Sequence, residues 1–229
     1  MTSRNVFITG GTGYIGLRVI PRLIQNGHRV RALVRAGSEG RVPAGCEAVI
    51  GNALDASTFA DRVRPSDSFV QLVGVPHPSP AKAEQFRSID LASARASVTA
   101  AAGAGVAHFI YVSVAQPAPV MKAYQAARAE GEKLIRESGM NATILRPWYV
   151  LGLGHRWAYA LKPMYWLLER IPSTRETARR LGLVTLDEIV EAIVNAVDSP
   201  ADDVRILDVS SIRQSLKSAP RANRGAAAG

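Results

Sequence analysis

Short apolar runs alternate with helix-period stretches along most of the chain, the pattern that a parallel sheet covered by helices on both faces requires. Val6-Phe-Ile8 is an apolar strand ending at Thr9, and Tyr14 to Gln25 has helical periodicity, stopped by Asn26-Gly27. A second strand, His28 to Val34, follows at once. The pattern then predicts a strand at Ala48–Ile50, a helix near Ser57–Arg64 and a strand at Ser68–Val73. A proline-rich loop, Val75–Pro80, leads into one long alanine-rich helix from Ala81 to Ala102. His108–Val114 is rich in β-branched and aromatic residues and reads as a strand. A helix over Met121–Glu137, a strand at Ala142–Leu145, an amphipathic helix at Leu186–Val197 and a last strand at Val204–Val209 complete the series. Asp187 and Glu188 suit the first turn of that amphipathic helix.

Glycines at 10, 13 and 16 fall between the first strand and the first helix. Gly10 permits a tight turn, Gly13 lets backbone approach a pyrophosphate, and Gly16 lets the helix pack on the sheet. The helix start offers free N–H groups and a positive dipole end to phosphates. With a strand before it and a helix after it, this motif predicts an α/β fold with a doubly wound Rossmann-type parallel sheet. The competing reading is a glycine-rich turn that binds nothing.

The texture changes at Pro147. All three tryptophans (148, 157, 166) and three of the six tyrosines (149, 159, 165) fall within 148–166. Such clustering predicts a small substrate lobe, residues 147–200, over the carboxyl end of the sheet, where open α/β folds place ligands. The chain is therefore read as a single domain over 1–210. Residues 211–229, rich in Ala, Arg, Ser and Gly, read as a basic, disordered tail.

Composition narrows the function classes. Apolar residues make up 47%, as in a globular α/β protein. The single cysteine, Cys46, forms no internal disulfide, and Met1–Asn5 leads straight into the first strand without a signal-peptide pattern. A cytoplasmic location is the expectation. Arg95, Lys162 and Pro163 interrupt the longest hydrophobic stretches, so no transmembrane segment is expected. The net charge of +9 invites a nucleic-acid reading, yet Arg213, Lys217, Arg221 and Arg224 in the acid-free tail carry much of the surplus. No nucleic-acid module is recognisable, and none is expected as a partner.

Three segments, Thr9-Gly-Gly-Thr-Gly-Tyr-Ile-Gly16, Phe109-Ile-Tyr-Val-Ser113 and Thr143-Ile-Leu-Arg-Pro147, carry a resemblance. Over about residues 4–210 the chain resembles the extended and atypical short-chain dehydrogenase/reductase superfamily, with its nearest likeness to the NmrA-like group. That group includes relatives of sugar-nucleotide epimerases and the nucleotide-binding accessory subunit of respiratory complex I. The resemblance implies a nicotinamide dinucleotide cradled by Gly10, Thr12, Gly13, Tyr14, Ile15 and Gly16. It places Asn52 and Ala53 beside the adenine, and Leu72, Val73 and Gly74 under the ribose and pyrophosphate.

The coenzyme preference is argued from charge. Enzymes that prefer NAD place an acid at the end of the second strand to accept hydrogen bonds from ribose hydroxyls. Arg35 stands there, with no acid before Glu39. A guanidinium cannot accept those bonds but forms a forked contact with a 2′-phosphate. NADP(H) is therefore preferred, with NAD(H) as the alternative. A solvated arginine at a strand end is the bland reading.

The resemblance also implies a catalytic Ser, a Tyr and a Lys four residues after the Tyr. Ser113 and Tyr124 match; Arg128 stands at the Lys position. An isolated phenol titrates near 10, so a cation one helical turn away is needed to stabilise a phenolate. Arg128 keeps the charge but cannot lose a proton. Lys122 and Lys133 lie about 180–200° around the helix from Tyr124 and do not share its face. Three readings stay open: Ser113, Tyr124 and Arg128 reduce a carbonyl with NADPH; the fold binds NADP(H) without turnover, as a redox sensor or assembly subunit; or another group, His155 in its loop, carries the chemistry. Trp148, Trp157 and His155 are candidate substrate contacts for a small hydrophobic or quinone-like molecule. A packed lobe core is the competing use of the aromatics, and a peripheral membrane surface, with Lys162, Arg170 and Arg175 flanking, is a third. Arg146 is expected in a salt bridge or cap. The oligomeric state is left open.

Overall fold

A computed structural model describes residues 2–151 and 180–218. The strands are β1 (Asn5–Thr9), β2 (Arg29–Val34), β3 (Glu47–Ile50), β4 (Ser68–Gln71), β5 (His108–Val112), β6 (Asn141–Leu145), β7 (Tyr149–Leu151), β8 (Leu183–Thr185) and β9 (Val204–Leu207). The helices are α1 (Gly16–Gln25), α2 (Ala83–Gln85), α3 (Ala92–Ala104), α4 (Lys122–Glu137), α5 (Leu186–Asp198) and α6 (Val209–Ser218). Seven parallel strands form one sheet in the order β3-β2-β1-β4-β5-β6-β9, and β7 pairs in parallel with β8 in a second. The expected doubly wound sheet is thus present. Strand order reverses between β1 and β4, which opens a crevice at their carboxyl ends.

Strand alternation divides the core in two. Val6 and Ile8 of β1 face α1 and α5, packing with Val19, Leu23, Ile189 and Ile193. Phe7 faces the α3 and α4 side. It aligns in register with Phe69 and Phe109, with ring centroids 5.3 and 5.2 Å apart along the row. This aromatic ladder pins the register of three adjacent strands. At the start of α5, Thr185 and Glu188 form a reciprocal capping box.

Several elements differ from the sequence expectation. The helix expected near Ser57–Arg64 is two separate 3-10 turns, Ala56–Thr58 and Ala60–Arg62. Side chains there compete for the backbone: Asp55 takes the Ser57 N–H, and Thr58 Oγ1 bonds the Asn52 and Asp55 carbonyls. The single long helix expected from Ala81 is broken by a π-helical turn, Phe86–Leu91, between α2 and α3. That turn buries Phe86 and Asp90. The basic tail does not begin at 211, since residues 209–218 form α6. Asp208 caps it, accepting from Ser210 Oγ and the Ser211 N–H at 2.8 Å, and Val209 and Ile212 are buried against α5. β7 and β8 were not anticipated. No helix among the described residues is long and apolar enough to cross a membrane.

His108, on β5, is 1% exposed, and its Nε2 sits 3.0 Å from Thr143 Oγ1 on β6, which also accepts from Arg205 on β9. Burial first, then Arg205 and Arg4, pull its pKa down to about 4. The folded state therefore holds it neutral while the unfolded chain protonates it near 6.5. Stability from this group is complete above pH 6.5 and falls as the pH drops toward 4. Urea midpoints should report a loss on the order of 2–3 kcal/mol across that window, and His108→Gln should flatten the slope there.

Candidate cofactor and active site

The crevice continues into a cleft of about 750 Å³. Among the described residues it is lined at one end by Gly10, Gly13, Tyr14, Ile15 and Gly16, and at the other by Ser113, Tyr124, Arg128 and Trp148. Leu72 and Gly74 lie between. Of the other sequence candidates, Thr12, Arg35, Asn52, Ala53 and Val73 are not part of the cleft lining. Arg35 sits exposed just after β2. His155 and Trp157 lie outside the described residues.

The glycine turn has the geometry that a dinucleotide diphosphate needs. Gly10 adopts φ +77°, and a Cβ there would lie 2.8 Å from the Leu72 carbonyl carbon. A Cβ on Gly16 would meet the Gly10 and Gly11 carbonyl oxygens at 2.5 and 2.6 Å, so only glycine lets α1 pack this close. Gly13 is exposed at the turn, its N–H donating to the Gly10 carbonyl and its carbonyl accepting from the Leu17 N–H, each at 3.0 Å. The N-cap of α1, Ile15, gives no side-chain hydrogen bond, and its first turn holds no acid. The positive end of α1 is thus left for an anion. Asn52 forms a local turn, its Oδ1 accepting from the Leu54 N–H at 3.1 Å.

Arg128 is 5% exposed and engaged through both terminal nitrogens of its guanidinium. Its Nη2 donates to Asp90 Oδ1 at 2.6 Å and its Nη1 to the Val112 carbonyl at 2.9 Å. Asp90 Oδ2 accepts the Val75 N–H at 3.0 Å. The guanidinium also lies 5.2 Å from the Tyr124 ring centroid and 5.7 Å from that of Tyr111. Burial works against the Arg128 charge, but Tyr124, Tyr111 and Asp90 outweigh it and hold the group above its ordinary value. Burial likewise pushes the Asp90 carboxyl upward, and Arg128 opposes that shift. Tyr124 packs tilted against Phe86, centroids 4.9 Å apart and ring planes at 54°, and its hydroxyl has no hydrogen-bond partner among the described residues.

Ser113 directly follows β5, its Oγ donating to Glu132 Oε1 at 2.6 Å. Glu132, 1% exposed, also accepts from Gln116, from Arg136 and, through both oxygens, from Arg146. Burial alone would raise its pKa; the hydrogen bonds from Arg146, Ser113 and Arg136 outweigh that and hold it below the usual carboxylate value. Arg146 forms the salt bridge expected of it. Trp148 is half-buried, packing against Ala115, Ala118 and Leu181 while it lines the cleft.

Residues 10–152 match the model of a family described as NAD(P)H-binding. The chain belongs to that family. Its sequence is similar to a ceramide reductase of Caulobacter vibrioides, 26% identical over 97% of this chain and 69% of that protein. It is also similar to an uncharacterized sugar epimerase, YhfK, of Bacillus subtilis, 27% identical over 90% of this chain and 93% of the relative. The fold matches WbmH of Bordetella bronchiseptica in complex with NAD+, with a TM-score of 0.66 at 17% identity, covering 90% of this chain and 75% of that one. It also matches the NAD complex of UDP-glucuronic acid 4-epimerase from Bacillus cereus, with a TM-score of 0.64 at 15% identity over 89% and 77% of the two chains. This NAD(P)H-binding protein thus has the architecture of the short-chain dehydrogenase/reductase and epimerase superfamily.

Within this NAD(P)H-binding chain, sequence reasoning missed Asp90 and Glu132. Glu132 was legible in part, since Tyr124, Arg128 and Glu132 recur every four residues and share one face of α4. Asp90 stands among small and apolar residues, and only the π turn brings it to Arg128. Arg128→Lys should therefore weaken the protein: an ammonium cannot serve both the Asp90 carboxylate and the Val112 carbonyl with a planar fork. The expected cost is about 1–3 kcal/mol in chemical denaturation, and a gain in stability would contradict this geometry.

Proposed function

We propose that this chain is an NADPH-dependent oxidoreductase that reduces a carbonyl on a small, uncharged, hydrophobic substrate. The observation that carries the reading is Tyr124, which lines the cleft that begins at the glycine turn and whose hydroxyl has no hydrogen-bond partner among the described residues. Val75, Pro76, Met121, Pro147, Trp148 and Val150 give the cleft apolar walls. Arg128 is the only permanently charged side chain among its described lining residues, and Asp90 holds it. Among the described residues a sugar-nucleotide diphosphate would find no free cation there, which favours an uncharged substrate. The relative named as a ceramide reductase supports the same direction.

Bound NADPH supplies a hydride. Tyr124 hydrogen-bonds the carbonyl oxygen and gives it a proton, so ketone, hydride and proton become an alcohol. Arg128, beside the Tyr124 ring, stabilises the phenolate left behind. Because Arg128 keeps its proton, water in the cleft restores the one Tyr124 has lost. Arg35 supports the NADPH preference: it is exposed at the end of β2, free of ion pairs among the described residues, and suited to a forked contact with a 2′-phosphate.

NADPH oxidation at 340 nm with a panel of aldehydes, ketones and quinones tests the activity. Tyr124→Phe should lower kcat by about 100-fold or more; equal consumption by both proteins would leave the fold as a binding module. Arg35→Asp should weaken NADPH binding about 10–100-fold while sparing NADH.

A further inference from the structure

Of the hydroxyl-bearing residues that line the cleft, Tyr124 and Ser113 stand at the end away from the glycine turn, and they are not equivalent. The Tyr124 hydroxyl has no protein partner among the described residues, so its proton is available to a ligand. The Ser113 proton is committed. Its Oγ lies 2.6 Å from Glu132 Oε1 and both residues are buried, at 3% and 1% exposure. A carboxylate held ionised by Arg146 and Arg136 can only accept, so the proton in this contact belongs to Ser113. Rotation away is opposed further by the setting: the Ser113 N–H is fixed to the Leu145 carbonyl at 2.7 Å, while Arg146 and Gln116 hold the carboxylate in place. A serine has one proton, and with that proton turned inward it offers the cleft lone pairs alone.

We propose that the substrate carries a hydrogen-bond donor, in the simplest case a hydroxyl, beside the carbonyl that is reduced, and that Ser113 reads this donor as an acceptor. The proposal rests on the reductase reading and names its substrate class: hydroxyketones rather than plain ketones. Tyr124 donates to the carbonyl oxygen while Ser113 accepts from the neighbouring hydroxyl. Glu132 is a positioning residue that acts through Ser113. A plain ketone sets a methylene against the Ser113 lone pairs, which then lose water without gaining a partner.

The probes are 1-hydroxy-2-decanone and 2-decanone, offered to the full chain with NADPH. Wild type should favour the hydroxyketone about 10-fold in kcat/KM, and Ser113→Ala should bring the ratio close to one. Glu132→Gln, whose side-chain amide can donate to Ser113 and turn its proton outward, should lower the ratio as well. Equal kcat/KM for the two ketones in wild type, or a preference that survives Ser113→Ala, overturns the proposal and leaves the reductase reading intact. Calorimetry of both compounds against the protein with NADP+ present separates the two claims. Tighter binding of the hydroxyketone that Ser113→Ala abolishes, with neither compound reduced, supports the recognition and sinks the reductase reading. No difference in binding overturns the recognition itself.

Discussion

The buried pair of Arg128 and Asp90 is the constraint on which the cleft depends. It joins α4, the π turn ahead of α3, the loop after β4 through the Val75 N–H, and the end of β5 through the Val112 carbonyl. A buried ion pair adds little net stability over a well-packed apolar pair, because desolvation offsets most of the attraction. Its value is positional. An arginine fork satisfied on two sides admits few geometries, and the Tyr124 ring is set against its face. The arginine at the position where the superfamily resemblance implies lysine is therefore a strut built into the floor of the cleft. It is not a lysine with a larger head.

The other end of the cleft depends on the absence of side chains. Gly10 and Gly16 bring β1, α1 and the backbone after β4 closer than any Cβ would allow, and the uncapped start of α1 is what remains facing the crevice. The sheet makes the two ends commensurate. Phe7, Phe69 and Phe109 lock β1, β4 and β5 in register, so the glycine turn and Ser113 emerge from strands that cannot slip against each other.

What the sequence revealed and what it concealed follow from the range of the interactions. The glycine turn, the alternating strands and the amphipathic α5 are written in local periodicity, and all were legible. Ser113, Tyr124 and Arg128 were singled out through the superfamily resemblance, and the fold brings the three to one cleft. Of their partners, Glu132 was legible only in part, through its place on the Tyr124 face of α4, since it receives Ser113 across 19 positions, and Asp90, which reaches Arg128 across 38, was not legible at all. Nothing near Asp90 in sequence announces that a π turn will bury it. The α6 helix was hidden for another reason: the composition of the last residues drew attention away from the Asp208 cap and from the helical spacing of Val209 and Ile212.

The most direct test of the strut is Asp90→Asn, a substitution at a buried residue that the geometry keeps away from the coenzyme. Calorimetric titration with NADPH and thermal unfolding would be measured together. A lowered Tm with the NADPH dissociation constant unchanged within about 3-fold is the expected result, since an amide cannot accept from both Arg128 and the Val75 N–H. An unchanged Tm with NADPH binding weakened 10-fold or more would mean that Arg128 serves the coenzyme rather than the floor of the cleft, and would contradict the account.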